Sequence, residues 1–180
     1  MNTYIALLRG INVGGHNKLP MKELVQLLED LGLHNVKTYI QTGNVAFKSE
    51  KDSAKLAESI KAAIEKDYGF APHVLVLTFN EFQKAMTSNP FPEAEAEPKT
   101  LHLYFLDREP ENPDLESLES IKKDSERFIL KNKTFYLHAP EGVGRSKLAA
   151  KVEKVLGVPA TARNWRSVGK IKEMAEQIER

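Results

Sequence analysis

At 180 residues, with 41% hydrophobic and 28% charged side chains, the chain has the make-up of a soluble globular protein long enough to bury a core. It contains no cysteine, which excludes disulfides, thiolate catalysis and cysteine-ligated zinc. A formal net charge of +1 gives no global argument for nucleic acid. No apolar run approaches the ~18 residues of a membrane span, and no charged segment leads into an apolar one at the start. A cytoplasmic protein with no membrane partner is expected.

Thr3–Leu8 is apolar at nearly every position and reads as a central strand. It stops at Arg9-Gly10, and a glycine-punctuated loop leads to Pro20, which suits the first turn of a helix. Met21, Leu24, Val25, Leu28 and Leu31 then recur at helical spacing, and Gly32 ends the run. Val36–Gln41 and Val45–Lys48 form a hairpin through Thr42-Gly43-Asn44. Asp52 or Ser53 caps a helix that Gly69 closes, and His73–Thr78 is a buried strand. Asn80, with Gln83 three residues on, opens a third helix as a capping box.

Asn89–Pro98 holds three prolines and several acids without periodicity, which marks it as a linker. Thr100–Leu106 is a strand, Pro113 starts a helix, and Arg127–Lys131 pairs with Thr134–His138 around Asn132-Lys133. Ser146–Leu156 is a helix closed by Gly157, Val158–Arg163 a short strand, and Asn164 caps a last helix. Each half thus reads β-α-β-β-α-β-α. The expected fold is α+β: a tandem duplication of two ferredoxin-like βαββαβ units, each followed by a helix. The expected boundaries are 1–88, a linker over 89–98, and 99–180.

Three segments, Leu8-Arg-Gly-Ile-Asn-Val-Gly-Gly15, Thr38-Tyr-Ile-Gln-Thr-Gly-Asn44 and Thr161-Ala-Arg-Asn-Trp165, stand in this order. Together they resemble the uncharacterised bacterial family catalogued as domain of unknown function 1697, over nearly the whole chain. The resemblance implies a cytoplasmic protein with a duplicated ferredoxin-like fold and implies no activity. Two departures are visible: Thr42 stands where Ser is expected, and Trp165-Arg166-Ser167 where Trp-Asn-Thr is more usual.

In such a unit the first strand–helix loop and the following hairpin fall at one end of the sheet. That would bring Arg9, Asn12, His16 and Lys18, with the backbone N–H groups of Gly14 and Gly15, beside Thr42 and Asn44. Such a set suits a carboxylate or phosphate; the competing reading is that the glycines and asparagines only shape turns. Gly10-x4-Gly15 is not a P-loop, because His16-Asn17 occupies the Lys-Ser/Thr positions, and no dinucleotide fingerprint follows Leu8. In the second half, Gly142–Lys147 opens a helix near the exit of the last strand. There Arg145, Lys147, Arg163, Asn164 and Arg166 would form a second anion site; the competing reading is a glycine turn, a capped helix and a solvated basic face.

Residues 145–172 hold eight Lys/Arg against one acid, and residues 93–126 hold eleven Asp/Glu against four Lys/Arg. Either the basic stretch is a face for an anionic partner or the two stretches neutralise each other. His102 and His138 would be neighbours if their strands pair, but no third ligand suggests itself and they read as half-exposed strand residues, so no metal site is expected. No nucleophile–base pair is visible, and no cofactor or catalytic residue is assigned. Two functional readings follow: a small phosphate- or carboxylate-bearing ligand held by the glycine loops and cations, or a nucleic-acid or protein-interaction module using the 145–172 segment. The sequence leaves the oligomeric state open.

Overall fold

A computed structural model describes residues 1–180. The elements are β1 (Asn2–Arg9), α1 (Met21–Asp30), β2 (His34–Tyr39), β3 (Asn44–Ser49), α2 (Ser53–Tyr68), β4 (His73–Thr78) and α3 (Phe79–Thr87). After a 3-10 helix at Pro92–Ala96 come β5 (Leu101–Leu106), α4 (Leu115–Ile121), β6 (Arg127–Lys131), β7 (Thr134–His138), α5 (Lys147–Leu156), β8 (Ala160–Asn164) and α6 (Trp165–Glu179). Two antiparallel sheets form, with orders β2-β3-β1-β4 and β6-β7-β5-β8. This is the ferredoxin-like order, twice, in an α+β protein of two similar units.

The first compact unit is Met1–Met86 together with Gly169–Arg180, and the second is Thr87–Val168. The last helix therefore starts in the second unit and belongs to the first from Gly169 onward, where Lys37 Nζ donates to Gln177 Oε1 at 3.0 Å. The stretch 89–98, expected as a linker, is folded within the second unit. Phe91 and Ala94 are buried, Asn89 Oδ1 accepts from the Phe91 N–H at 3.0 Å, and Asn89 Nδ2 donates to Glu95 Oε2 at 2.9 Å. Its prolines punctuate a short helix, Pro92 standing where the fixed φ of proline suits a first turn.

In the first unit, Tyr4, Ala6 and Leu8 of β1 pack with Leu24 and Leu28 of α1 and Leu56, Ile60 and Ile64 of α2. The alternate residues Ile5 and Leu7 are fully buried too, which is why β1 lacks a polar–apolar alternation. Each such side chain contributes about 1.5–3 kcal/mol of burial. In the second unit Tyr104, Leu106, Phe135 and Leu137 meet Leu118 of α4 and Leu148, Val152 and Leu156 of α5.

Helix ends follow local chemistry. Asp52 accepts from the Lys55 N–H (2.9 Å), Ser146 from Ala149 (3.0 Å) and Asn164 from Ser167 (2.9 Å); Gly69 and Gly157 close their helices at φ 78° and 69°. The box at α3 is Thr78/Glu81 rather than Asn80/Gln83. Thr78 Oγ1 accepts from the Glu81 N–H at 3.1 Å, and Glu81 Oε2 accepts from the Thr78 N–H at 2.8 Å. Thr78 ends a strand and so has a free N–H to offer, whereas Asn80 already lies inside the helix. Asp114, one residue after Pro113, caps α4.

The β2–β3 connection is Ile40–Gly43, ahead of the expected Thr42–Asn44. It folds against the end of β1, where the Leu8 N–H donates to Gly43 O at 2.9 Å. A Cβ at Gly43, which holds φ +92°, would lie 2.7 Å from Leu8 Cβ and 2.9 Å from Ile11 Cδ1. Gly142 has a similar φ, +87°, with nothing within 4 Å. Gly43→Ala is expected to lose about 3 kcal/mol or more, and Gly142→Ala about 1 kcal/mol, in urea unfolding; equal losses would mean that φ alone, not the close approach, sets the requirement.

Candidate functional site

At the C-terminal end of β1 the chain makes a second, smaller hairpin. Val13 and His16 pair across Gly14 and Gly15, whose φ values of 57° and 77° are those of a type I′ turn. The Asn12 N–H donates to Asn17 O at 3.0 Å and Asn17 Nδ2 donates to Gly10 O at 2.8 Å, closing the base of the loop. The Asn12 side chain then ties this loop to its surroundings. Its Nδ2 donates to Leu19 O and Gln41 O, each at 2.9 Å, and its Oδ1 accepts from the Leu19 N–H at 2.7 Å. Asn44 is buried, and its Nδ2 donates to Tyr39 O at 2.9 Å and Thr42 Oγ1 at 3.0 Å.

The two loops do meet, as the topology requires. Asn12 and Asn44, expected among the ligand-orienting groups, hold backbone; Gly14 and Gly15 shape an exposed turn. Arg9, His16, Lys18 and Thr42 present exposed side chains at the same end.

The second unit assembles another group at the N-terminal end of β5. Leu101 pairs with His138, His102 pairs with Asn164, and the Ala139 N–H donates to Thr100 O at 2.8 Å. The loop before α5 and the β8–α6 junction therefore share this end of the sheet, and both helices begin there. Asn164 is engaged as the α6 cap. Arg163 stands opposite Leu103, on the other face from Asn164, and its Nη1 donates to Ala162 O at 2.9 Å. Burial pulls the Arg163 guanidinium down to about 10. Arg145, Lys147 and Arg166 are exposed. An open recess of about 450 Å³ is lined by Glu97, Pro98, Lys99, Thr100 and Arg166.

His102 and His138 lie on adjacent strands yet on opposite faces, because the partner of His138 is Leu101. His138 instead joins a cluster that the sequence reading missed. Arg127 Nη2 donates to His138 Nδ1 at 2.8 Å, bonds Glu93, and stacks its guanidinium 4.5 Å from the Phe91 ring centre. Arginine has donors only, so Nδ1 must be the unprotonated nitrogen. The Arg127–His138 half was legible in the hairpin register; Glu93 and Phe91 were not, since they come from the stretch read as a linker.

An α+β protein of two ferredoxin-like units, with exposed cations gathered at one sheet end in each, is the class defined by these features. A family model described as a protein of unknown function (DUF1697) matches residues 1–136, and the chain belongs to that family. Among solved structures it is similar to the conserved bacterial protein SP0830 from Streptococcus pneumoniae, at 27% identity and a TM-score of 0.69, over 97% of this chain and 98% of that one. No curated protein matches. No helix is long and apolar enough to cross a membrane.

Asn12→Asp keeps the acceptor for Leu19 but sets a carboxylate against two carbonyls, and is expected to cost about 2–3 kcal/mol with lost hydrogen-exchange protection at the Leu19 N–H. Unchanged protection would mean the loop holds without this clamp. Burial depresses the folded pKa of both His102 and His138; for His138 Arg127 adds to this, with Glu93 and Glu97 opposing. The unfolded chain then binds more protons, so stability is complete above about pH 6.5 and falls as pH drops through the depressed values. A melting temperature that rises on acidification from neutrality would contradict this, and His138→Asn should flatten the slope.

Proposed function

We propose that this chain is a cytoplasmic protein that binds a small phosphate- or carboxylate-bearing ligand at the α5/α6 end of the second sheet. The observation that supports this reading is the open recess, mainly apolar in lining, that Lys99, Thr100 and Arg166 form with Glu97 and Pro98, at the sheet end where two helices begin. Each helix N-terminus carries roughly half a positive charge, and both lie near cations rather than carboxylate caps. Arg166 offers a planar fork for two oxygens and Lys99 a point charge, while the Thr100 hydroxyl donates to Glu97 O at 2.7 Å and fixes the wall of the recess. Arg145 and Lys147, at the start of α5, extend the positive field. Arg163, half-buried on β8, is partly desolvated and adds charge to this unit.

The same basic segment is the part that a nucleic acid would use, and salt separates the two. A small ligand seated in a recess resists moderate salt, whereas backbone contacts to RNA weaken steeply through counterion release. The test is thermal unfolding against inorganic phosphate, nucleotides, sugar phosphates, dicarboxylates and a short RNA at two ionic strengths. A ligand present at ~100 times its dissociation constant should add about 2.7 kcal/mol, roughly 5–10 °C. Arg166→Ala, an exposed change, should leave the unliganded melting point nearly unmoved and weaken the ligand about tenfold or more. A ligand shift that Arg166→Ala does not alter would remove the assignment.

A further inference from the structure

The exposed tips of the first unit's loop pair bear the wrong side chains for turns that serve only the fold. Ile40 is a β-branched residue at φ 50°, in the left-handed region that such residues avoid, and it is 46% exposed. Asparagine or glycine would relieve that backbone, and a polar side chain would suit that exposure. Val13, beside the type I′ turn, is 61% exposed. Each is next in the chain to one end of a single hydrogen bond, from Asn12 Nδ2 to Gln41 O at 2.9 Å, so the clamp that joins the loops fixes the backbone carrying both.

The charge around them is mainly of one sign, with Glu23, in the first turn of α1, taken up by the Tyr68 hydroxyl, which donates to its Oε2 at 2.7 Å. Residues 1–22, 31–49 and 68–80 contain no Asp or Glu, and these stretches supply all three connections at this end of the sheet. Arg9, Lys18 and two imidazoles, His16 and His73, belong to it. A mainly basic rim around aliphatic tips complements a surface of the opposite kind: an apolar pocket edged with carboxylates. The tips are aliphatic and offer no stacking platform of the sort single-stranded RNA uses.

We propose that the Val13/Ile40 loop pair is a docking surface for a protein partner presenting an acid-rimmed apolar pocket. It stands independently of the anion site in the second unit. Two rigid apolar knobs fill the pocket, and Lys18 with its neighbours orients the approach. The clamp pre-organises both knobs, so little order has to be imposed on binding.

Selection of a displayed random-peptide library on the full chain tests this. Enrichment of peptides that alternate Asp/Glu with Leu, Ile or Phe is expected. Ile40→Asn and Val13→Ser should each weaken those peptides about tenfold or more, Ile40→Val should retain them, and Lys18→Glu should slow association. Ile40→Asn should at the same time hold or raise the melting temperature, which separates lost docking from lost folding. No enrichment, enrichment of peptides without acids, or binding that survives both substitutions would overturn the proposal. So would self-association of the chain, or RNA binding, that disappears with Ile40→Asn.

Discussion

No side chain fits at position 43, and much of the first unit follows from that. The turn after β2 lies close enough to Leu8 and Ile11 that only hydrogen can face them. This approach lets the Leu8 N–H reach Gly43 O, draws Ile11 into the core, and brings Gln41 within reach of Asn12. The second unit closes with the corresponding bond, from the Leu106 N–H to Lys133 O at 2.9 Å, without any glycine at the turn. The same topology therefore permits two loop chemistries, and only the first demands a fixed turn.

The glycine- and asparagine-rich motifs that give the chain its family resemblance are, on this view, mostly instructions for backbone. Gly10, Asn12, Gly14, Gly15, Asn17 and Gly43 all hold positive φ. The two amide side chains at Asn12 and Asn44 satisfy carbonyls and an N–H that the loops would otherwise leave to water. What such a scaffold leaves available for recognition is the set of residues it displays rather than the set it is made of. In the second unit the balance differs, since Arg145, Lys147 and Arg166 are exposed and spend nothing visible on the turn itself.

The fold was legible because its signals are local. Caps at Asp52, Ser146 and Asn164, and closures at Gly69 and Gly157, are each a matter of one residue and its neighbours within four positions. The Thr78/Glu81 box was misread because a second acceptable pattern, Asn80/Gln83, overlaps it two residues later. Segment 89–98 was misread because proline and acid say nothing of what Phe91 buries. The site was less legible for a different reason. The partners of Asn12 stand at 19 and 41, and those of Arg127 at 93 and 138, so both roles exist only once distant strands are aligned. Ile40 carries no sequence mark at all, because an isoleucine at the end of a strand looks ordinary until its φ is known.

The division of the last helix between the two units has a consequence for how the molecule comes into being. Its final turns, from Gly169, belong with residues 1–86, so the whole of the second unit is inserted into the first rather than appended to it. During synthesis the second unit can complete its sheet as soon as Asn164 leaves the ribosome, while the first, begun earlier, waits for Gly169–Arg180. The N-terminal half is thus the last to be finished. No single cut in the polypeptide yields both units intact.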